Sequence, residues 1–224
     1  MNENKGKKVV QMGMFCAIAY LLMVVGRIPV VMFLKYDPKD VVITVGGFIF
    51  GPLSAALISL VVSLVEMFTV SDTGVIGMVM NVLSTCAYVC TAAFIYKKLH
   101  TVKGAVIGLV TGGILMTVVM LLWNYLVTPL YMGYPREAVA AMLLPVFLPF
   151  NLVKAALNGA ITMLVYKPIV TALRKAGLLA PSPVQEGNAA AAGIKGNVKW
   201  GVVLVSGVIL ATCILLVLVM QGRI

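Results

Sequence analysis

Seven long apolar runs, separated by short polar or turn-forming segments, account for most of this 224-residue sequence. A helix needs about 20 mainly apolar residues to cross the hydrocarbon core of a bilayer, and several of the runs reach that length. Of all residues, 62% are hydrophobic and 11% are charged, against roughly 45–50% and about 25% in an average soluble domain. The sequence therefore excludes a soluble globular domain and predicts a compact integral membrane protein.

The turn signals between the runs predict seven helices, at about 8–26, 38–51, 53–70, 75–97, 103–128, 149–174 and 198–220. Prolines interrupt the apolar stretch 133–149, which we predict to be an interfacial or re-entrant approach to the sixth helix. We predict an all-α fold in three parts: an integral membrane six-helix bundle that binds substrate in residues 1–175, a flexible Ala/Pro/Gly linker in 176–197, and one additional C-terminal transmembrane helix in 198–224.

The formal net charge of +10 also carries information. In a membrane protein such an excess marks cytoplasmic loops, so we do not expect nucleic acid as a partner. A cytoplasmic N-terminus places most lysines and arginines on the inner side, among them Lys7, Lys98 and Lys175. This orientation is our prediction; Lys154, inside the sixth helix, belongs to neither side.

Polar residues are few inside the predicted helices, where a charge costs about 2.5–3.5 kcal/mol at the helix centre. Those present are Glu66, Asn81, Asn124, Asn151 and Lys154. With the N-terminus inside, all five fall in the outer half of the membrane. They predict a small-molecule pocket that opens to the outside, and the alternative for each asparagine is a hydrogen bond between helices.

Spacing and neighbouring residues sharpen this prediction. Asn151, Lys154 and Asn158 share one helix face, which we expect to point into the bundle. We expect Glu66 to neutralise Lys154. Near these groups lie side chains that suit a flat ligand: Phe68, Met78, Trp123, Tyr125, Tyr131 and Phe150.

Small-residue motifs allow close helix contact in three helices. They are Gly13-x3-Ala17, Gly47-x3-Gly51 and Gly104-x3-Gly108-x3-Gly112. We expect most of them to serve internal packing and one on a peripheral helix to dock a partner protein. The sequence has no Walker-type phosphate loop, one histidine and no metal-ligand spacing, so we predict no catalytic residues, no metal and no cofactor.

Several segments together carry a resemblance to a known family. They are 33–40 (FLKYDPKD) with 46–52 (GGFIFGP), Gly77-x3-Asn81, 123–125 (WNY) with 128–131 (TPLY), and 149–154 (PFNLVK). Over about residues 8–175 the chain resembles the substrate-binding S components of energy-coupling factor (ECF) vitamin transporters, specifically the riboflavin-binding type. The helix at 198–220 is not part of the usual six-helix pattern of that family.

The resemblance implies a subunit of the bacterial plasma membrane that captures riboflavin outside and is served by a coupling protein and two ATP-binding subunits. Riboflavin would be the transported ligand, and the partner subunits would hydrolyse ATP. The resemblance also implies that the first loop, about 27–40, covers the pocket, and that Gly13 and Ala17 contact the coupling protein. The substrate-binding residues predicted from both arguments are Asn124, Asn151, Lys154, Asn81, Glu66, Tyr36, Phe68 and Tyr131.

Three other functions remain open at this point. The first is an S component for a different vitamin or small heterocycle. The second is an intramembrane enzyme that uses Glu66 and Lys154 as an acid/base pair, for which a second reactive group is missing. The third is a stand-alone channel or facilitator; the absence of a continuous polar path into the inner half argues against it.

Overall fold

The computed structural model describes residues 3–31, 34–175 and 200–222. Seven helices and one two-stranded antiparallel hairpin make up this described part. The simple helices are α1 Glu3–Gly26, α2 Lys39–Phe50, α3 Pro52–Thr69, α5 Val102–Met132 and α7 Trp200–Met220. The hairpin, β1 Ile28–Val31 and β2 Leu34–Tyr36, joins α1 to α2.

Two helices contain a π-helical turn. α4 consists of Gly74–Thr85, a π turn at Cys86–Cys90 and Thr91–Leu99. α6 consists of Arg136–Met142, a π turn at Leu143–Phe147 and Leu148–Lys175. Such turns occur frequently at functional sites, and both lie next to polar residues of the cavity described below.

Six of the described helices are long and apolar enough to cross a membrane: α1, α3, α4, α5, α6 and α7. α2 has 12 residues and is about 18 Å long, which is too short for the hydrocarbon core. Its residues from Lys39 to Phe48 are all buried, so α2 is enclosed by the bundle. The predicted all-α membrane fold with an additional C-terminal helix is confirmed, and the predicted linker 176–197 lies outside the described residues.

Two predicted boundaries at prolines are wrong. The chain is helical from Arg136 onward and continuous with α6, so 133–149 is not a separate re-entrant segment. The wider π turn accommodates Pro145, whose ring would clash with the preceding turn of a regular helix. Likewise α5 passes through Pro129 and ends at Met132 instead of at residue 128, since one missing N–H in the last turn is tolerated.

Glycines let α5 approach α4 closely. A Cβ atom at Gly112 would lie 2.4 Å from the carbonyl oxygen of Tyr88, and one at Gly108 would lie 2.8 Å from that of Ala92. The approach is less close at Gly47 of α2, where a Cβ atom would lie 3.1 Å from the Cβ of Ala93 in α4. Gly47, Gly108 and Gly112 therefore serve internal packing, as predicted for most of these motifs, whereas a Cβ at Gly51 would meet nothing within 4 Å.

The hairpin lies at the same end of the bundle as the α3–α4 connection, where Lys35 Nζ and Asp72 Oδ2 are 2.9 Å apart. α2 therefore enters the bundle from this end and carries Lys39 and Asp40 into the interior, where both are buried. An apolar core joins the hairpin to α6 and α7. This arrangement creates the cavity beneath the hairpin.

Candidate ligand-binding site

A cavity of about 350 Å³ lies between the hairpin, α3, α4, α5 and α6. Its lining consists of Arg27, Leu34, Lys35, Asp37, Glu66, Ser71, Asp72, Thr73, Met80, Asn81, Ser84, Met120, Asn124, Phe150, Asn151 and Lys154. The volume is within the range of small-molecule sites. All five intramembrane polar residues singled out from the sequence meet here, and their role in binding stays a prediction.

Two carboxamides are held by the helices that carry them. Asn124 Nδ2 donates to the Met120 carbonyl at 2.7 Å, and its Oδ1 accepts from Thr128 Oγ1 at 2.9 Å. Asn151 Nδ2 donates to the Phe147 carbonyl, the last residue of the π turn in α6, at 2.8 Å. Because an amide nitrogen has two N–H groups, each asparagine keeps a second donor. Both side chains are buried and oriented before any ligand arrives.

Glu66 is bound by three groups from other elements. Its Oε2 accepts from Lys39 Nζ at 2.6 Å and from Asn81 Nδ2 at 3.0 Å, and its Oε1 accepts from Arg27. The expectation that Glu66 neutralises Lys154 is therefore wrong. Arg27, directly before the hairpin, and Lys39, the first residue of α2, reach this carboxylate from other parts of the chain. Helix spacing does not reveal such long-range contacts.

Lys154 pairs with Asp40 instead. Lys154 Nζ lies 3.5 Å from Asp40 Oδ2, and Asp40 is fully buried. Asp40 also accepts hydrogen bonds from Thr85 Oγ1 at 2.7 Å and from Asn158 Nδ2 at 3.3 Å. Asp40 was not among the residues predicted from the sequence to bind ligand. An acidic residue in the first turn of a helix is also explained by its favourable interaction with the helix dipole, so its position alone did not indicate a buried ion pair.

Tyr36 does not line the cavity. Its hydroxyl donates to Asn158 Oδ1 at 3.0 Å, so a chain of polar contacts runs from the hairpin through Asn158 and Asp40 to Lys154. Burial raises the pKa of Tyr36, and the carboxylates of Asp40 and Asp37 raise it further. The phenol therefore stays a neutral donor. Tyr36 holds Asn158 in position from outside the cavity lining.

Other predicted residues lie away from the cavity. Phe68 is 79% exposed because it follows Glu66 by two residues, about 200° around the helix. Of the further aromatic and methionine side chains, Phe150 lines the cavity, whereas Met78, Trp123 and Tyr125 do not. Tyr131 belongs to α5, but its side chain is outside the described ones.

Asp37 is a lining residue that sequence reasoning did not select. Its Oδ2 lies 3.9 Å from Lys39 Nζ. Its Oδ1 is buried and has no hydrogen-bond partner among the described residues.

At the rim of the cavity, the hydrogen bond and charge of Lys35 lower the pKa of the Asp72 carboxyl. Within the described ranges no cluster of three or more His, Cys, Asp or Glu is placed to hold a metal ion.

Comparison with known proteins decides the family. A family model described as "ECF transporter, substrate-specific component" matches residues 7–166. The chain belongs to this family. The match includes every polar lining residue of the cavity, whereas α7, which begins at Trp200, lies outside it.

This substrate-specific component is similar to curated transporters. It is 28% identical to the riboflavin transporter FmnP of Bacillus subtilis (strain 168) over 188 residues, which cover 77% of this chain and 98% of FmnP. It is also 28% identical to the riboflavin transporter RibU of Staphylococcus aureus (strain TCH60) over 185 residues, 78% of this chain and 96% of RibU.

A solved structure shares the fold. It is described as the structure and mechanism of the S component of a bacterial ECF transporter, and it superposes with a TM-score of 0.65 at 27% identity. The superposition covers 75% of this chain and 98% of that one. Family and fold together make this chain a multi-pass membrane protein that serves as a transport subunit.

Proposed function

We propose that this chain captures riboflavin from outside the cell and delivers it to an ECF transporter for ATP-driven uptake. The observation that carries the proposal is the convergence of Asn81, Asn124, Asn151 and Lys154 on one cavity of about 350 Å³. The similarity to riboflavin transporters over almost their whole length supports the choice of ligand.

The chemistry of the lining suits a flavin. The isoalloxazine ring has apolar faces and a pyrimidine edge that alternates carbonyl acceptors with an N–H donor. Carboxamides such as Asn124 and Asn151 offer both donors and acceptors to that edge, and Lys154 offers a charge-assisted bond to a carbonyl or hydroxyl oxygen. Met80, Met120 and Phe150 supply apolar contact for the ring.

Asp37 is suited to a hydroxyl of the ribityl chain. Its buried Oδ1 lacks a partner, and a buried acceptor without a hydrogen bond costs about 1–3 kcal/mol. A ligand O–H would remove that cost.

The remaining features concern partners and orientation. Gly13 and Ala17 are exposed on α1, and nothing lies within 4 Å of where a Gly13 Cβ would be, which leaves room for a coupling protein. The sequence has no Walker-type loop, and the family resemblance implies that two partner subunits hydrolyse ATP. We place the chain in the bacterial plasma membrane with a cytoplasmic N-terminus.

Titration of the purified full chain with riboflavin tests the ligand. The protein in lipid nanodiscs should quench flavin fluorescence and saturate at one riboflavin per chain. We expect Asn151→Leu and Lys154→Met to weaken binding at least tenfold. Lys98→Met, at the opposite end of α4, should leave the affinity unchanged.

Two outcomes would contradict this proposal. A chain that ignores riboflavin but binds another vitamin would keep the S-component function and change the ligand. Equal effects of Lys154→Met and Lys98→Met would remove the cavity as the binding site.

A further inference from the structure

The C-terminal helix α7 contacts the hairpin. Cys213 of α7 is buried in one apolar cluster with the hairpin residues Val30, Leu34 and Tyr36. Leu210, Val217 and Met220 of α7 pack against the same cluster. Beyond the end of the helix, Gln221 Nε2 donates a hydrogen bond to the Pro29 carbonyl at 2.5 Å.

The same hairpin forms one wall of the cavity. Leu34 and Lys35 line the cavity directly, and Arg27 and Asp37 line it from the residues that flank the two strands. A ligand that leaves the cavity on the hairpin side must pass these residues. Contacts that fix the position of the hairpin therefore also affect the rate at which a ligand leaves.

The first half of α7 borders an apolar cavity away from the hairpin. Gly201, Val205 and Ile209 border an apolar cavity of about 470 Å³ that lies between α5, α6 and α7. The polar contact to the hairpin and the buried Cys213 lie in the second half or just beyond it. The contacts of α7 with the hairpin thus come from its second half and from the residue just beyond it.

We propose that α7 holds the hairpin against the cavity and thereby slows ligand release, with Val217, Met220 and Gln221 as positioning residues. α7 lies outside the family match at 7–166, so this is a function of the additional helix and not of the shared six-helix bundle. The inference rests on the proposed function because the ligand used to measure release is riboflavin.

The test compares two variants of the full chain in nanodiscs. Val217→Ala/Gln221→Ala removes contacts to the hairpin. Val219→Ala makes the valine substitution alone, at a position of α7 that is 56% exposed. We expect the first variant to release riboflavin about tenfold faster, with a smaller change in the association rate. Val219→Ala should release it at the unmodified rate.

Hydrogen–deuterium exchange of residues 28–36 without ligand gives a second readout. The hairpin amides should exchange about tenfold faster in Val217→Ala/Gln221→Ala, and as slowly as in the parent in Val219→Ala. Unchanged exchange, unchanged release, or an equal effect of Val219→Ala would overturn the inference. A chain that does not bind riboflavin refutes the proposed function, while the exchange experiment still tests the contact.

Discussion

Besides Lys35 and Asp72, which pair with each other at the rim, six charged side chains in or next to the cavity determine what it presents to a ligand. They are Arg27, Lys39, Lys154, Asp37, Asp40 and Glu66. Removing water from a charge costs several kcal/mol, and a well-placed opposite charge offsets that cost. Because three carboxylates face three cationic groups, the site is balanced and suits an uncharged ligand.

We expect a double-mutant cycle to show that Lys154 and Asp40 act as a pair. Lys154→Met leaves Asp40 buried without its cation, and this should cost on the order of 3 kcal/mol of stability. Asp40→Asn/Lys154→Met should recover most of the loss in thermal unfolding, since no charge is left unpaired. Riboflavin binding should stay weak in the double variant, because the proposed ammonium contact is gone.

Glu66 provides the control for that cycle. Its carboxylate is bound by Arg27, Lys39 and Asn81, so Glu66→Gln and Lys154→Met should show little coupling. A coupling energy as large as that of Asp40 with Lys154 would contradict the pairing described above.

At the scale of elements, small residues set the spacing of the helices. Gly108 and Gly112 face the backbone of α4, whereas Gly13 faces outward from α1. The same residue type thus serves close packing in one helix and an open surface in another. Whether a small-residue motif packs internally or stays open depends on whether its helix lies at the periphery of the bundle. The motif itself does not contain that information.

Alanine at Gly112 should destabilise the bundle by about 1–3 kcal/mol, because α4 and α5 must separate to accept the new Cβ. Alanine at Gly13 meets nothing within 4 Å and favours helix formation, so it should leave the unfolding temperature unchanged or raise it. Thermal unfolding of both variants in the same detergent measures this. A Gly112→Ala variant as stable as Gly13→Ala would show that the α4–α5 contact is not close.

For the whole molecule, the two ends of the bundle differ in charge, and this predicts its orientation. Residues at the hairpin end, such as Lys35, should face the outside, and Lys98 should face the cytoplasm. In a variant without the four native cysteines, a membrane-impermeant maleimide on intact cells should label Lys35→Cys and not Lys98→Cys. Labelling of both after lysis is the control, and the reverse pattern would invert the topology.

Coupling to partner subunits is a second property of the whole molecule. Ala17→Leu adds bulk on the exposed face of α1 and should reduce riboflavin uptake by cells at least tenfold without changing binding to the isolated chain. Gly207→Leu, at an exposed position of α7 with nothing within 4 Å, should leave uptake unchanged. Normal uptake by Ala17→Leu would remove α1 as the contact surface.

The sequence by itself determined where the helices lie and which polar residues are candidates for ligand binding. Hydropathy is a local property, and the membrane requires about 20 apolar residues per span, so helix positions follow from the chain alone. The helix boundaries predicted near Pro129 and Pro145 were wrong, because a helix tolerates a proline in its last turn or in a π turn. Glu66, Asn124 and Lys154 stood out because polar groups are costly in lipid.

Only the tertiary structure decided which of these residues meet. Asp40 pairs with Lys154, and Glu66 pairs with Lys39 and Arg27, because the short helix α2 and the hairpin carry these groups into the bundle. Tyr36 and Phe68 were predicted to bind the ligand but do not line the cavity. Tyr36 bonds to Asn158, and Phe68 faces outward. Charge pairing depends on the path of the backbone in space, which local spacing does not contain.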